Sequence, residues 1–164
     1  MHEDELSHVD AAGRLRMVDV SAKPVTRRTA TVSGRVVTAA PAPDDLVLAA
    51  RLAGILAAKR TSALVPLCHP LEVDDVRVDV VRRAWGYGVR TAVTSTGRTG
   101  VEMEALTAAA FCALELTLGL RATGHGAAIE ALVVVEKRGG RSEWGSATTS
   151  EPPITPARED PAQR

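Results

Sequence analysis

The fold of this chain is constrained most by two periodicities that alternate along it. Four segments rich in Val and Thr, or alternating apolar with polar residues, have the period of two that is typical of strands: 28–38, 75–83, 89–97 and 128–137. Two segments, 44–60 and 99–124, have the apolar spacing and length of helices. The order strand, helix, strand, strand, helix, strand predicts an α+β fold of the ferredoxin-like, split βαβ type. We expect an antiparallel sheet with two long helices on one face. The open face of such a sheet needs cover, and a second subunit is one way to supply it.

The first helix has a predicted start, an apolar stripe and a basic end. Asp44 or Asp45 is placed to cap its N-terminus, and Lys59 stands near its C-terminus, where a cation opposes the helix dipole. The apolar stripe predicted to face the core consists of Leu46, Ala49, Ala50, Ala53, Leu56 and Ala57.

Composition and length bound the class of protein. The chain has 164 residues, enough for one domain with its own core. Twenty basic and twenty acidic residues cancel, and aromatic residues are only 2%, so nothing global favours nucleic acid or membrane as a partner. Two cysteines, a polar N-terminus and no signal peptide favour a reduced, cytoplasmic protein. We predict a flexible segment 1–12, a folded domain 13–145 and a disordered, Pro- and Ser-rich tail 146–164.

The segment PLCHPL, residues 66–71, places Cys68 and His69 between two prolines that stiffen the backbone. A histidine held in this way can bind phosphate or move a proton near neutral pH. A metal site is poorly supported, because no second Cys-His pair matches it. A structural loop with a hydrogen-bonded histidine is the alternative.

Two basic segments are candidates for anion binding. Asp19, Lys23, Arg27 and Arg28 surround a short apolar segment within 17–28, where a solvated strand edge is the alternative. The segment EKRGGRSEWG, 136–145, places its basic residues around a Gly-Gly turn that lets backbone N–H groups approach a phosphate. An ordinary basic turn is the alternative there.

The second helix carries acids at both ends of its apolar sequence. Glu102 and Glu104 lie in its first turn, where the helix dipole alone favours acids. Glu115 lies on the same predicted stripe as Phe111 and Leu118. Because an unpaired buried carboxylate is costly, Glu115 must pair, reach a cavity or face water on a thinly covered side.

Five sequence blocks taken together resemble the MoaC family: MVDVSAK at 17–23, ARLAGILAAKRT at 50–61, LVPLCHPL at 64–71, TGVEMEALTAA at 99–109 and the GGRS turn at 139–142. The resemblance extends from about residue 6 to residue 145, and the combination of LCHPL with GVEMEALTA is highly specific.

The resemblance implies a fold, an activity and an assembly. Members of this family are cyclic pyranopterin monophosphate synthases of molybdenum cofactor biosynthesis, lyases with a ferredoxin-like fold. The implied substrate is a cyclised dihydroguanosine triphosphate made by a partner radical-SAM enzyme, and diphosphate is released. The implied assembly is a homo-oligomer, a trimer of dimers, with the active site at a dimer interface. Neither a metal nor another cofactor is implied.

The resemblance also implies the roles of individual residues. Leu67, Cys68 and His69 match a substrate-binding loop. Met103 and Glu104 match a second substrate-contacting pair. Three further residues match active-site positions: Glu102, Asp19 and Lys59. Lys137 and Arg141 match a basic turn.

Two departures from the family pattern stand out. Leu118 occupies the position of the family's catalytic aspartate, and Arg121 occupies that of a lysine one turn later. Arginine can hold phosphate but is a poor acid or base. The link before Asp44 is also shortened by roughly ten residues, which removes a Lys-Gly-Asp turn that resembles a phosphate clamp.

Two interpretations follow from these departures. In the first, the chain is a working synthase in which Glu115 supplies a displaced carboxylate and Arg121 keeps a phosphate contact. In the second, it is a catalytically impaired relative that binds a nucleotide or pterin, or that joins mixed oligomers. An enzyme that acts on another cyclic nucleotide is a third reading.

Overall fold

The computed structural model describes residues 8–10, 12–140 and 142–145. The predicted tail 146–164, most of the predicted flexible segment 1–12 and Arg141 lie outside the described residues. The proposed boundaries at 12/13 and 145/146 therefore stay predictions.

The predicted order of elements is confirmed. The strands are β1 (Thr26–Val37), β2 (Asp75–Arg83), β3 (Gly86–Gly97) and β4 (Ala128–Arg138), followed by the two-residue β5 (Trp144–Gly145). The helices are α1 (Asp44–Ala58), the one-turn α2 (Thr61–Leu64) and α3 (Glu102–Ala122). All pairings are antiparallel and the sheet order is β2-β3-β1-β4-β5, which is the split βαβ arrangement with one short added strand.

The core is built from small aliphatic side chains between the sheet and the two long helices. In β1, the alternate residues Ala30, Val32 and Val36 are buried beneath α3. In α3, the residues buried in the same cluster are Val101 at its N-cap, Ala105, Ala108, Ala109, Cys112, Ala113 and Leu116. Gly54 of α1 permits close packing, because a Cβ at this position would lie 2.8 Å from the carbonyl oxygen of Ala108.

One expectation about α1 is wrong and a second is confirmed only in part. Its N-cap is Pro43, which makes no side-chain capping bond, and Asp45 instead accepts a hydrogen bond from the Leu46 N–H within the first turn. The buried face is also rotated, because the close approach at Gly54 directs Gly54, Ala50, Ala57 and Ala58 inward. Leu48, Leu52 and Leu56 are exposed on the outer side.

Helix α3 has a length and hydropathy that would suffice to cross a membrane. Here it is the central helix of the domain, with contacts to β1, β3, β4 and α1. Its outer side is apolar and uncovered along its second half, where Phe111, Leu114 and Leu118 are exposed. Glu115 lies half-buried among them with no ion pair to a described residue, so it faces the thinly covered side.

Candidate functional site

A cleft of about 730 Å³ opens at one end of the helical layer. Its walls come from the loop 18–24, from His69, from the start of α3 with the preceding turn, and from the end of β4 with the following turn. Four lysine or arginine side chains and two acids line it: Lys23, Arg28, Arg98, Lys137, Asp19 and Glu102. This excess of positive charge suits a cleft that receives an anion.

An ion pair joins α3 to β4 inside the cleft. The Lys137 Nζ lies 2.5 Å from the Glu102 Oε1, and both side chains are about three-quarters buried. Lys137 pairs with Ala30 in the sheet, so it lies on the face that the helices cover. The ion pair fixes the two side chains beside each other in the wall of the cleft, where a substrate can reach both.

The loop between α2 and β2 has an unusual backbone at Leu67. This residue has a φ of 61°, the left-handed region that side chains other than glycine and asparagine rarely adopt. The Cys68 N–H donates to the Val65 carbonyl, which closes the turn. The loop directs Cys68 towards α3 and places His69 in the cleft wall. A strained residue that fixes two neighbouring side chains is typical of a functional loop.

Glu104 lies beneath this loop and is buried, with only 2% of its surface exposed. The Cys68 thiol donates to its Oε1 at 3.7 Å, and its Oε2 has no hydrogen-bond partner among the described residues. Burial raises the pKa of the Glu104 carboxyl, and burial together with the Glu104 charge raises the pKa of Cys68 to about 11. Burial therefore disfavours the charged form of Glu104, and a carboxyl group can both donate and accept a hydrogen bond when it is protonated.

Asp19 has the opposite environment on the far wall of the cleft. It is exposed, and its Oδ1 accepts a hydrogen bond of 2.9 Å from the Ser21 N–H. That bond, with smaller effects of Arg16 and His69, holds the pKa of the carboxyl below its usual value. Asp19 is therefore an anion at neutral pH, whereas burial favours the neutral form of Glu104.

Several predicted site residues lie away from this cleft. Lys59 is exposed beyond the last turn of α1, in a separate groove with Glu72 and Asp74. Met103 is exposed on the outer side of α3. Glu115, Leu118 and Arg121 lie further along α3. At a rise of about 1.5 Å per residue, their distances from Glu102 along the helix axis are about 20, 24 and 28 Å.

Two arginines of the cleft are not assigned to the site by the sequence. Arg28 belongs to a basic segment for which a solvated edge was the alternative, and Arg98 lies outside both basic segments. The sequence does contain a pattern that could have identified Arg28. It lies two residues before Ala30 and four before Val32 in a strand, so it is predicted to share their face of the sheet, which the helices cover. Arg98 donates from its Nε to the Lys23 carbonyl, a contact between distant segments that no local pattern reveals.

Metal binding has no support from a cluster of ligands. Within residues 8–10, 12–140 and 142–145, no three His, Cys, Asp or Glu side chains are grouped so that they could hold an ion. The expectation that the chain uses neither metal nor cofactor stays a prediction.

The fold and the cleft define a class: an α+β protein of ferredoxin-like topology with a basic cleft at the start of its central helix. The family model described as "MoaC family" matches residues 17–140, and the chain belongs to this family.

Relatives in several bacteria carry one name, cyclic pyranopterin monophosphate synthase. The protein of Streptomyces coelicolor is 44% identical over 153 residues, which cover 87% of this chain and 90% of the relative. That of Novosphingobium aromaticivorans is 44% identical over 155 residues, 88% of this chain and 99% of the relative. The Mycobacterium tuberculosis protein named cyclic pyranopterin monophosphate synthase 1 is 45% identical over 152 residues, 86% of this chain and 89% of the relative.

Proposed function

We propose that this chain is a cyclic pyranopterin monophosphate synthase of molybdenum cofactor biosynthesis. The reaction converts (8S)-3',8-cyclo-7,8-dihydroguanosine 5'-triphosphate into cyclic pyranopterin monophosphate and diphosphate. The observation that carries the proposal is the basic cleft that both the Glu102–Lys137 ion pair and His69 line. The names of relatives that are 44% identical over most of the chain support the same activity.

The geometry supports a division of roles within the cleft. Asp19, Glu102 and His69 are placed to accept or donate protons, and Lys137 to neutralise a developing negative charge. Leu67 and Cys68 belong to the substrate-binding loop, and Glu104 beneath it offers a carboxyl group whose Oε2 has no partner in the described part of the chain. A polar ring edge of the substrate that reached Glu104 would satisfy this oxygen.

A second copy of the chain completes the site in this proposal. One α3 helix is too long for its two ends to meet at one substrate, as the separation of about 24 Å between Glu102 and Leu118 along the axis implies. The uncovered apolar side of α3 is the kind of surface that a partner subunit buries. We therefore place Lys59, Met103 and the far end of α3 at the interface of a homo-oligomer, a trimer of dimers.

The missing aspartate has a candidate replacement. Glu115 lies about one turn before Leu118, is half-buried and has no ion pair with a described residue. We propose that it supplies the carboxylate to the neighbouring copy's cleft and that Arg121, exposed at the end of α3, supplies a cation there. Lys137 and Gly140 supply the basic wall of the cleft in the same proposal, and Arg141, which lies outside the described residues, keeps the substrate-binding role that the resemblance implies.

The cellular setting follows from the substrate. A radical-SAM enzyme must supply the cyclised triphosphate, so we place the chain in the cytoplasm beside that partner. The proposal includes no binding to nucleic acid or membrane, and a hexamer is the assembly that we expect.

Turnover by the purified protein tests the activity directly. The cyclised triphosphate is supplied in single-turnover amounts and diphosphate release is measured, with the Streptomyces coelicolor relative assayed in parallel. We expect release well above the uncatalysed rate. Release at background while the relative is active would refute the proposal.

An impaired relative that still binds nucleotide or pterin is the second candidate. The observation in its favour is Leu118, which is 64% exposed and cannot transfer a proton where the family pattern has an aspartate. Titration calorimetry with GTP and with the pterin product separates the two candidates. Binding without turnover favours the impaired relative, and mixed oligomers with a complete copy would do the same.

A further inference from the structure

His8 brings a second imidazole to the cleft, in addition to that of His69. Its side chain is half-buried, and its Nδ1 is buried without a hydrogen-bond partner in the described part of the chain. No carboxylate of a described residue forms an ion pair with the ring. A structural histidine has one ring nitrogen held by the protein, which fixes the position of the ring proton. An unpaired buried nitrogen indicates instead a hydrogen bond that a ligand supplies.

The surroundings of the His8 ring favour a lone pair at Nδ1. A proton on this nitrogen would be a buried N–H group without an acceptor among the described residues. Such a group is rarer in proteins than an acceptor that lacks a donor. The ring proton is therefore favoured on Nε2, which does not belong to the buried unpaired atoms and can be satisfied by water. His8 thus offers a proton acceptor to a group that enters the cleft.

A short hairpin near the N-terminus carries His8 to the cleft. The His8 carbonyl accepts a hydrogen bond of 3.0 Å from the Arg16 N–H, and Val9 forms an antiparallel bridge with Leu15. Both bridging side chains are exposed, and no described residue of the hairpin belongs to the core. The hairpin can therefore shift to admit a substrate group to the His8 Nδ1 without disturbing the fold.

Asp10 holds the turn of this hairpin. Its Oδ1 accepts hydrogen bonds of 2.9 Å from the N–H groups of Ala12 and Arg14, and its Oδ2 lies 2.9 Å from the Arg14 Nε. The hydrogen bond from the Arg14 backbone lowers the pKa of the Asp10 carboxyl, so the turn is held by an anion at neutral pH. Asp10 does not line the cleft, so it acts on a ligand only by positioning His8.

The proposed reaction releases a proton that needs an acceptor. A triphosphate becomes a cyclic monophosphate and diphosphate, so a substrate hydroxyl oxygen must bond to the phosphorus that is retained. The P–O bond to diphosphate breaks, its electron pair leaves with diphosphate, and the hydroxyl proton passes to a base. We propose that His8 is a further catalytic residue, whose Nδ1 accepts this proton and whose ring then releases a proton to water. This inference rests on the proposed function, because that reaction supplies the hydroxyl and the triphosphate.

Single-turnover release of diphosphate from the cyclised triphosphate measures the loss of this base. His8→Ala should lower the rate by about 100-fold or more, as removal of a positioned base does. Imidazole added to the buffer should restore part of that rate, which it would not do if His8 had only a structural role. Leu15→Ala is the matched control, because it removes an exposed side chain of the same hairpin outside the cleft, and its rate should stay within about twofold of wild type.

Asp10→Ala tests the positioning of His8 without removing its ring. It should lower the rate by about 10-fold, because the turn loses the bonds that hold it. The double variant Asp10→Ala/His8→Ala should be no slower than His8→Ala alone, since Asp10 acts only through His8. Losses that add in the double variant would overturn the role of Asp10. All these variants should keep the Tm of wild type, because the hairpin lies outside the core.

GTP is a probe of the contact that needs no turnover. In protein labelled with ¹³C-histidine, the imidazole signal of His8, identified by its loss in His8→Ala, should shift when GTP is added. A wild-type rate in His8→Ala, a loss that imidazole does not restore, or a His8 signal that GTP leaves unmoved would overturn the inference. A GTP-dependent shift in a chain that shows no turnover would refute the proposed function and leave His8 as a residue that contacts the ligand.

Discussion

Both the start and the second half of α3 carry acids within an apolar sequence, but the surroundings of these acids differ. At its start, the acids are covered: Glu102 pairs with Lys137, and Glu104 lies beneath Cys68. At its far end, Glu115 and Leu118 lie on an apolar surface that no described segment covers. The difference teaches that an acid on an apolar helix acquires its chemistry from the segment that packs over it. In the proposal above, the near end supplies one half of the site and the far end is the surface that another copy uses.

The largest difference that we expect between the two ends of α3 is in how much a truncated leucine lowers the free energy of unfolding. Leu116 is fully buried, so Leu116→Ala should lower the free energy of unfolding by about 2–5 kcal/mol. Leu118→Ala, two residues later, should cost less than about 0.5 kcal/mol at protein concentrations where the chain is monomeric. Urea denaturation of both variants measures the difference. Similar costs in the dilute protein would show that Leu118 is covered within one protomer.

The acids of the near end should dominate activity. Glu102→Gln removes the partner of Lys137 and a proton acceptor of the cleft, so turnover should fall by about 100-fold or more. Asp45→Asn, which removes an exposed acid at the start of α1, is the control and should leave turnover within about twofold. Steady-state diphosphate release provides the rates. A Glu102→Gln variant with near wild-type rates would remove the near end from the catalytic account.

The thiol above Glu104 should be unreactive. A pKa of about 11, against 9.0 for a free thiol, leaves Cys68 with about 100-fold less thiolate near pH 8. Alkylation by iodoacetamide should therefore be slower by about that factor in the folded protein than in urea, measured in a Cys112→Ser background. Glu104→Gln should speed the reaction, since the Glu104 charge contributes to the raised pKa. Rapid labelling of the folded protein would mean that the loop does not cover Glu104.

The raised pKa of Glu104 makes stability depend on pH. Between the unfolded pKa of about 4.3 and the higher folded pKa, the native state holds a proton that the unfolded state has lost. Stability from this group is therefore fully present below about pH 4.3 and declines as pH rises through the folded pKa, by about 1.4 kcal/mol for each pH unit that separates the two pKa values. Urea midpoints of wild type and Glu104→Gln across pH 4–8 should diverge in favour of the variant as pH rises. Parallel curves would contradict the assigned burial.

The sequence predicted elements better than their surroundings. Period-two alternation located β2 to the residue and β1, β3 and β4 within three residues, because the sheet has one buried face along these strands. The one-turn α2 and two-residue β5 are too short for any periodicity. The buried face of α1 was predicted only in part: Ala50 and Ala57 are buried, whereas Leu56 is exposed. A count of apolar residues does not weigh Gly54, whose missing side chain sets the helix contact.

The candidate site was predictable only in part. The resemblance pointed to the blocks around His69 and Glu102, and both residues line one cleft. The spacing of residues along a helix could not predict that Glu104 is buried while Leu118 is exposed. Glu104 is buried by the loop that carries Cys68, which is distant in sequence. Arg28 was detectable in principle from its strand register, but its missing carboxylate partner is a property of the folded chain.

A mixing experiment tests most directly whether one site takes its two halves from different copies. Glu102→Gln protein and the double variant Glu115→Gln/Arg121→Ala are each expected to be inactive. They are unfolded, mixed in equal amounts and refolded together, and diphosphate release is then measured. When dimers form at random, half of them contain one copy of each variant. In such a dimer one of the two sites combines the two unmodified halves, so about a quarter of wild-type activity should return. Activity no greater than the mean of the two separately refolded variants would contradict a shared site.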